Sequence, residues 1–401
     1  MSNTNKPALV SHLGRKHLNV VPMLLILSLG FVLGMTSNAN FLKFYLPFLT
    51  TLPFPMPSPP LPTSLPPPTP LPPPPQAPPM PSPQTPQMGL MGFLAPSGVM
   101  HNMTDEELFW RASMVPQISR KPDHRVPKVA FLFLATGDLS LRPLWEKFFM
   151  GHDGLYSIYM HTSPSYTGSP PKDSVFYGRM IPSQITRWGD ITLVEAERRL
   201  LANALLDLGN ERFVLLSDSS IPVYDFPTVH AHLTGSNTSF VDSFVNHDSE
   251  VRYNPFFASR CNITLEQWRK GVDWFEMDRA LAIKVISDDA YFPSFREYCA
   301  RRRYCLMDEH YIATLLSVLG WSRNANRTLT HEDWRRGGSH PRTHQRRDVT
   351  EELIKDIRGG AGKNCTYNGR PAGICYLFAR KFAPDALDPL LTLAPKLMGF
   401  G

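Results

Sequence analysis

The 401-residue sequence lacks the short motifs that mark several large enzyme classes. It has no Walker A loop, GxGxxG, HExxH or GxSxG, so the usual support for P-loop enzymes, dinucleotide-binding enzymes, zinc proteases and serine hydrolases is missing. It also has no long lysine or arginine run, and its formal net charge is only +6. The basic stretches at 301–303 and 335–347 therefore indicate a solvated surface first and a site for an acidic small substrate second; no motif supports nucleic acid as a partner.

Cysteine is scarce, and all five cysteines follow residue 260. None has CxxC spacing, which leaves a structural zinc site or a thioredoxin-type motif unsupported. The odd number leaves at least one thiol unpaired or bonded between chains. In an oxidising compartment the natural pairs are the two that close short loops, Cys299–Cys305 and Cys365–Cys375.

Proline is abundant but unevenly distributed. Twenty-one of the 40 prolines fall between residues 47 and 96. Such a stretch cannot supply the backbone donors of a packed core, and it favours extended polyproline II. We therefore expect a proline-rich stem and connector over residues 36–127, with a short helix at 104–113 where Thr104 and Glu107 form a capping-box pattern. One folded domain, residues 128–401, follows.

One long apolar run lies near the N-terminus, at residues 18–35, and Arg15 and Lys16 precede it. Its length is at the short end of a membrane span, and the basic residues upstream predict a cytosolic tail at 1–17. We expect a transmembrane signal-anchor of a single-pass type II protein, and a short span favours the early secretory pathway, including the Golgi membrane. A cleaved signal peptide is the alternative, although Ser37-Asn38-Ala39 is a poor cleavage site.

Five N-glycosylation sequons follow the apolar run, which supports a lumenal domain carrying glycans. Each sequon is a weak signal by itself, because such triplets arise often by chance. Their asparagines are Asn102, Asn237, Asn262, Asn326 and Asn364.

Strand and helix patterns alternate from residue 128 onward. A helix capped by Asp190 shows strong amphipathic spacing. Apolar runs predict strands at 129–134, 156–161, 212–217 and 240–245. This alternation predicts an α/β fold with a mostly parallel central sheet covered by helices. Since ligands bind beyond the carboxyl ends of such strands, residues 136–138, 161–163 and 218–220 should line a cleft.

A single carboxylate, Asp218, follows the predicted strand at 212–217, within Leu-Ser-Asp-Ser. Many transferases that use nucleotide sugars carry an Asp-x-Asp at this place, which holds a metal. One carboxylate alone favours a metal-free site in which arginine and lysine supply the positive charge.

Three further segments have an ordinary structural interpretation when each is taken alone. Residues 308–311 would open a helix with acidic residues at its N-terminus. Arg380 and Lys381 would be solvated charges at a strand end. The loop 334–341 would be a turn, although its indole, paired glycines and histidine are typical of sugar-contacting loops.

Together these segments resemble the core-2/I-branching β-1,6-N-acetylglucosaminyltransferase-like family (glycosyltransferase family 14), in its plant branch. The matching segments, in consistent order, are 213–223, 308–311, 334–341 and 375–382. The resemblance extends from residue 128 to about 391. It implies a GT-A-like glycosyltransferase fold, an inverting mechanism, a UDP-sugar donor with N-acetylglucosamine among the candidate sugars, a glycan or glycoprotein acceptor, and no metal or other cofactor.

The resemblance also implies roles for individual residues. Glu309 matches the family's general base, and Lys381 matches the lysine that contacts the donor diphosphate. Arg370 lies near the family's diphosphate arginine, although its spacing to the following cysteine is longer here. Cys365 and Cys375 match a short family disulfide that would hold Arg370 in a small loop.

Other residues fall at the substrate-binding positions of the family. Thr136, His161 and Trp188 lie where the nucleoside is held, and the animal enzymes have an aspartate at the position of His161. Aromatic Trp334 could stack on the apolar face of an acceptor sugar. A glutamate at a helix start is favoured as the anion, so Glu309 could accept a proton near neutral pH.

Two interpretations from other classes stay open at this point. One is a non-catalytic family member that binds glycans or scaffolds other Golgi transferases, against which the presence of Glu309, Arg370 and Lys381 argues. The other is a structural protein of the cell wall with an extensin-like stem. The extensin signature of serine followed by four prolines is absent, because the four prolines at residues 72–75 follow Leu71 and not a serine.

Overall fold

A computed structural model describes residues 98–116, 126–302, 304–360 and 362–401. The predicted cytosolic tail, signal-anchor and proline-rich part of the stem lie outside the described residues. Within the described ranges, no helix has both the length and the apolar character needed to cross a membrane.

The elements of the described chain follow one another in this order: α1 Asp105–Ala112, β1 Lys128–Leu134, α2 Arg142–Phe149, β2 Tyr156–His161, α3 Ile191–Leu205, β3 Asn210–Ser217, β4 Ile221–Pro222, α4 Phe226–Thr234, α5 His247–Arg252, α6 Pro255–Cys261, β5 Glu276–Asp278, α7 Arg279–Ile286, α8 Phe292–Cys299, α9 Tyr311–Val318, β6 Thr330–Glu332, α10 Glu351–Arg358, β7 Cys365–Tyr367, β8 Arg370–Ala372, β9 Phe378–Arg380 and α11 Leu387–Leu393.

The central sheet has four strands in the order β2–β1–β3–β5. Strand β1 is parallel to β2 and β3, and β5 is antiparallel to β3. Side chains of β1 alternate between two buried clusters, with Phe131 and Phe133 on one face and Ala130 and Leu132 on the other. Burial on both faces explains the uninterrupted apolar run, and the predicted α/β fold with a mostly parallel sheet is confirmed.

Helix α3 covers one face of this sheet and begins where the sequence predicts. The Asp190 carboxylate accepts a hydrogen bond from the Thr192 N–H at 3.0 Å, which satisfies a free backbone donor of the first turn. Arg199 of this helix forms an ion pair with Asp105, with 2.7 Å between Nη2 and Oδ2. Helix α1, which has the predicted capping box of Thr104 and Glu107, therefore packs as part of the folded unit.

A second sheet of three strands, in the order β4–β9–β6, lies beside the first. Strand β9 is antiparallel to β4 and parallel to β6, and Arg380 of β9 lies opposite Glu332 of β6. The buried Glu276 of β5 joins the two sheets, because its carboxylate accepts the Leu329 N–H at 2.9 Å and the Thr330 hydroxyl at 3.3 Å. The charged ends of β6 and β9 are thereby fixed next to the carboxyl ends of the central strands.

Two predicted elements differ from the structure. Residues 240–245 form no strand, because Phe240 and Phe244 pair with two separate partners, Glu276 and Lys270, as isolated bridges. Residues 308–310 form a turn, and the helix begins only at Tyr311. The backbone carbonyl of Glu309 accepts the Gly271 N–H at 2.8 Å, so it takes part in a contact between segments.

Both short-loop disulfides are present. Cys299 is bonded to Cys305, Cys365 is bonded to Cys375, and Cys261 carries a free thiol. The Cys365–Cys375 bond closes the base of the β7–β8 hairpin.

Candidate active site

Polar side chains follow the central strands at their carboxyl ends. Thr136 follows β1 and Asp218 follows β3, and the Thr136 hydroxyl donates to Asp218 Oδ2 at 3.5 Å. Since β1 and β3 are parallel neighbours, their ends meet at the same edge of the sheet. This edge forms one side of the candidate site.

Lys381 lies next to this edge. The Phe382 N–H donates to the Ser219 carbonyl at 2.9 Å, and the Lys381 carbonyl accepts the His344 N–H at 2.8 Å, so the backbone on both sides of Lys381 is held. Burial and the neighbouring Arg380 cation lower the pKa of Lys381, partly offset by nearby carboxylates including Asp218. The site thus places a half-buried amine near the lone carboxylate after β3.

Arg380 is not the solvated strand end that its position in the sequence suggests. It is only 9% exposed. Its guanidinium donates to Glu332 Oε1 at 2.5 Å and to Ser217 Oγ at 3.2 Å, and it lies 4.1 Å from the centre of the Trp274 ring. A buried cation therefore lies beside Lys381, because Glu332, Ser217 and the Trp274 ring enclose its guanidinium.

Trp334 follows β6 and is 44% exposed. Its indole N–H donates to Glu332 Oε2 at 3.0 Å, which fixes the polar edge of the ring. The segment after it is a turn, closed by the Gly337 N–H donating to the Trp334 carbonyl at 2.9 Å. His340 of this loop lies 5.1 Å from Trp188 between ring centres, so the loop and the exposed Trp188 belong to one surface.

Glu309 is held by two cations. Its carboxylate forms an ion pair with Arg252 at the end of α5, and Lys270 Nζ lies 3.1 Å from its Oε2. Partial burial raises the pKa of Glu309, but the hydrogen bond from Arg252 and the charge of Lys270 outweigh burial and lower it overall. The carboxylate is therefore ionised over a wider pH range than a free glutamate.

Gly271 allows the chain after Lys270 to pass close to the backbone of Asp242. A side chain at this position would place its Cβ only 2.3 Å from the Asp242 carbonyl oxygen. The Gly271 N–H donates to the Glu309 carbonyl at 2.8 Å, so the residue after Lys270 is bonded to the backbone of Glu309.

Three further carboxylates lie close to this segment, and only Asp308 belongs to a motif of the sequence. Glu197, Asp273 and Asp308 line one small cavity together with Glu309. Burial, followed by the charge of Glu309, raises the pKa of Asp308 to about 6. Burial and the charge of Asp308 raise the pKa of Asp273 well above its ordinary range, and burial and Asp273 do the same for Glu197. No local pattern signals Glu197 or Asp273, because they come from distant parts of the chain.

The segment 270–274 connects the two halves of the site. At one end, Lys270 pairs with the Glu309 carboxylate at 3.1 Å, and the Gly271 N–H donates to the Glu309 carbonyl at 2.8 Å. At the other end, the Trp274 ring lies 4.1 Å from the guanidinium of Arg380, the residue before Lys381. Glu309 and the Arg380–Lys381 pair, which are far apart in the sequence, thus lie at the two ends of one short segment.

Comparison with known proteins identifies the family of this chain. The sequence model of the family described as Core-2/I-Branching enzyme matches residues 129–358. The chain belongs to this family. It is also 36% identical over 309 residues to the Glycosyltransferase BC10 of Oryza sativa subsp. japonica, and the match covers 67% of this chain and 76% of that protein. The chain is therefore a glycosyltransferase, in agreement with the resemblance seen in its sequence.

His161 has a different environment in this glycosyltransferase from the one expected for a nucleoside contact. It is fully buried at the end of β2, and its Nε2 accepts the Gln184 N–H at 3.2 Å. Burial, followed by the charge of Arg199, lowers the pKa of His161 to about 4, so the ring is neutral. Its burial does not support direct contact with a nucleoside, whereas the exposed Thr136 and Trp188 are accessible to one.

Arg370 lies in the exposed β8 strand of the β7–β8 hairpin. The hairpin packs against the end of α4, through Tyr367 donating to the His232 carbonyl at 2.9 Å and Asn368 donating to the Gly235 carbonyl at 2.9 Å. Within the described residues these contacts do not join Arg370 to Glu309 or Lys381. Its role toward the diphosphate stays a prediction.

All five sequon asparagines are exposed in the glycosyltransferase domain and its connector. Exposure is compatible with glycan attachment at each of them. Glycosylation itself stays a prediction.

Removal of Lys270 should change the pH dependence of the enzyme. The lysine cation lowers the pKa of Glu309, and a general base works only as the carboxylate, so Lys270→Met should raise that pKa and move the acidic limb of the turnover–pH profile to higher pH. Lys284→Met, at an exposed position of α7, is the control that should leave the limb in place. An unchanged acidic limb in folded Lys270→Met protein would contradict the pairing.

Proposed function

We propose that the enzyme is an inverting, metal-independent glycosyltransferase that moves a sugar from a UDP-sugar to a glycan or glycoprotein acceptor in the secretory pathway. N-acetylglucosamine is the first donor sugar to test. The observation that carries the proposal is the position of segment 270–274. Its Lys270 pairs with Glu309 at 3.1 Å, and its Trp274 ring lies 4.1 Å from Arg380, the residue before Lys381, so one short stretch of chain joins a carboxylate and a cationic pair.

The proposed reaction is a single displacement. The acceptor hydroxyl oxygen forms a bond to the anomeric carbon of the donor sugar, and the bond from that carbon to the UDP oxygen breaks with its electron pair on UDP. The hydroxyl proton passes to the Glu309 carboxylate. Lys381 stabilises the negative charge that develops on the departing diphosphate, and attack from the opposite face inverts the anomeric carbon.

Substrate contacts are proposed around these two groups. Thr136 and Trp188 are accessible to the nucleoside, and the half-exposed Trp334 offers a ring face to an acceptor sugar. The carboxylate of Glu309 has to release part of its pairing to Arg252 or Lys270 when the acceptor hydroxyl binds.

Metal independence is supported by the residues around Asp218. The sequence supplies one carboxylate between two serines, and the cations of Arg380 and Lys381 interact with it. Cations at this position would stabilise the negative charge of a diphosphate in place of a divalent metal ion.

Activity is expected to survive chelation. UDP release from UDP-N-acetylglucosamine and related UDP-sugars should be measured across a panel of glycan acceptors, with and without EDTA. A strict requirement for manganese would show that Asp218 holds a metal. Failure of every UDP-sugar to release UDP or to stabilise the protein against heat would refute the donor class.

We also propose that the enzyme is a Golgi membrane protein of type II orientation, with residues 97–401 in the lumen. The two disulfides and the exposed sequons support an oxidising, glycosylating compartment. Glycosidase treatment of protein made in a eukaryotic secretory pathway should increase its gel mobility. No shift, with the C-terminus open to protease from the cytosolic side, would contradict this orientation.

A further inference from the structure

We propose that Glu332 is a positioning residue that fixes Trp334 and the Arg380–Lys381 segment relative to each other. The inference rests on the proposed function, since it assigns Trp334 to the acceptor side and Lys381 to the donor diphosphate. It adds a residue that neither the motifs nor the family resemblance indicated.

The carboxylate of Glu332 binds three donors from three segments. Its Oε1 accepts from Arg380 at 2.5 Å and from the Trp274 indole N–H at 3.1 Å. Its Oε2 accepts from the Trp334 indole N–H at 3.0 Å. The side chain is only 7% exposed, so water does not compete effectively for these bonds.

Three converging donors are matched by the acceptor oxygens of a carboxylate side chain. A carboxylate offers two acceptor oxygens and no hydrogen, and each oxygen can accept more than one bond. A glutamine at position 332 would keep the shape but would offer one acceptor oxygen and an NH₂ group facing a donor. Some of the three donors would then lack an acceptor inside a buried network. An unpaired buried donor costs more free energy of folding than the loss of an exposed hydrogen bond.

The two sides of the network differ in function. On one side, the bond to Glu332 restricts the rotation of the half-exposed Trp334 ring. On the other, Arg380 is covered by the Trp274 ring and held by Ser217, and Lys381 follows it directly along the chain. The Glu332 carboxylate therefore fixes the orientation of the Trp334 ring, which would receive the acceptor, and the position of the backbone that carries the Lys381 amine.

The charges around Lys381 give this role a measurable consequence. Arg380 lowers the pKa of Lys381, whereas Glu332, Asp218 and Asp273 raise it. If Glu332 loses its charge, one of the groups that favour protonated Lys381 is gone. The amine should then lose its proton at lower pH.

The test compares Glu332→Gln with wild type in the full-length chain. UDP is the ligand, and its affinity is measured by calorimetry from pH 7 to 10.5. The alkaline limb of UDP binding should move to lower pH by about half a unit or more in Glu332→Gln. Tryptophan emission should also change, because the indole N–H groups of Trp274 and Trp334 lose their shared acceptor.

Two further variants separate positioning from simple loss of stability. Glu297→Gln removes an exposed carboxylate that pairs with Arg260 at 2.6 Å, and it should leave both readouts unchanged. Trp334→Phe removes the indole N–H but keeps a ring, so the emission change caused by Glu332→Gln should be smaller in that background. Trp334→Phe alone should leave the alkaline limb of UDP binding in place.

A folded Glu332→Gln protein with the wild-type alkaline limb and wild-type emission would overturn the proposal. If Glu332→Gln does not fold, Glu332→Asp is the second variant: it keeps the charge but is too short to reach all three donors, so the tryptophan emission should change, and wild-type emission in folded Glu332→Asp protein would also overturn the proposal. A wild type that binds no UDP would refute the proposed function instead, and the emission experiment would still decide whether Glu332 orients Trp334.

Discussion

Glu309→Gln should lower turnover by about 10²–10⁴-fold, the usual contribution of a positioned general base. Glutamine keeps the size of the side chain and can still accept a hydrogen bond from Arg252 or Lys270, but it cannot take the proton of the acceptor hydroxyl. Turnover at saturating donor and acceptor is the measurement. UDP affinity should change little, because Glu309 acts on the acceptor.

The control for this variant is Glu351→Gln, at an exposed glutamate that pairs with Lys355 on α10. It removes the same charge away from the site and should keep full turnover. Near-full activity of folded Glu309→Gln protein would remove Glu309 from the mechanism. The buried Asp273 and Asp308 would then be the next carboxylates to examine, since both lie beside the same cavity.

Lys381→Ala should weaken UDP binding by roughly 10- to 100-fold and lower turnover as well, because it removes a charge-assisted contact to the diphosphate. UDP affinity by calorimetry and UDP release from the working donor are the two measurements. The effect should differ in kind from that of Glu309→Gln, since Lys381 acts on the donor in both binding and reaction.

Lys355→Ala provides the matched control, because its amine is exposed and pairs only with Glu351 among the described contacts. It should bind UDP as the wild type does. If Lys381→Ala binds UDP normally, another cation contacts the diphosphate. Arg370 and Arg380 are then the residues to replace, and a loss of UDP binding in one of them would identify it.

The ion pairs of Glu309 affect its action as a base in two opposite ways. Arg252 and Lys270 lower the pKa of Glu309, so the carboxylate stays ionised at mildly acidic pH and can accept a proton. The same cations make it a weaker base than a carboxylate in an apolar pocket. Acceptor binding that displaces one cation would restore basicity at the moment of reaction.

Local patterns in the sequence determined much of the fold. The apolar runs of β1, β2 and β3 lie where strands were predicted, because a strand buried on both faces must be apolar throughout. Asp190 caps α3, and Thr104 caps α1, because a cap depends on residues within one turn. The resemblance in the sequence also indicated the family, and the family match over residues 129–358 confirms it.

The environment of each site residue was decided only by the tertiary structure. Nothing near His161 in the sequence shows that the segment around Gln184 buries it, and nothing near Arg370 shows that its hairpin packs against α4. Segment 270–274 and Glu332 carry no motif, yet their contacts connect Glu309, Trp334 and Arg380. Burial, pairing and pKa depend on which distant segments pack together, and that packing is set by long-range contacts that short sequence patterns do not encode.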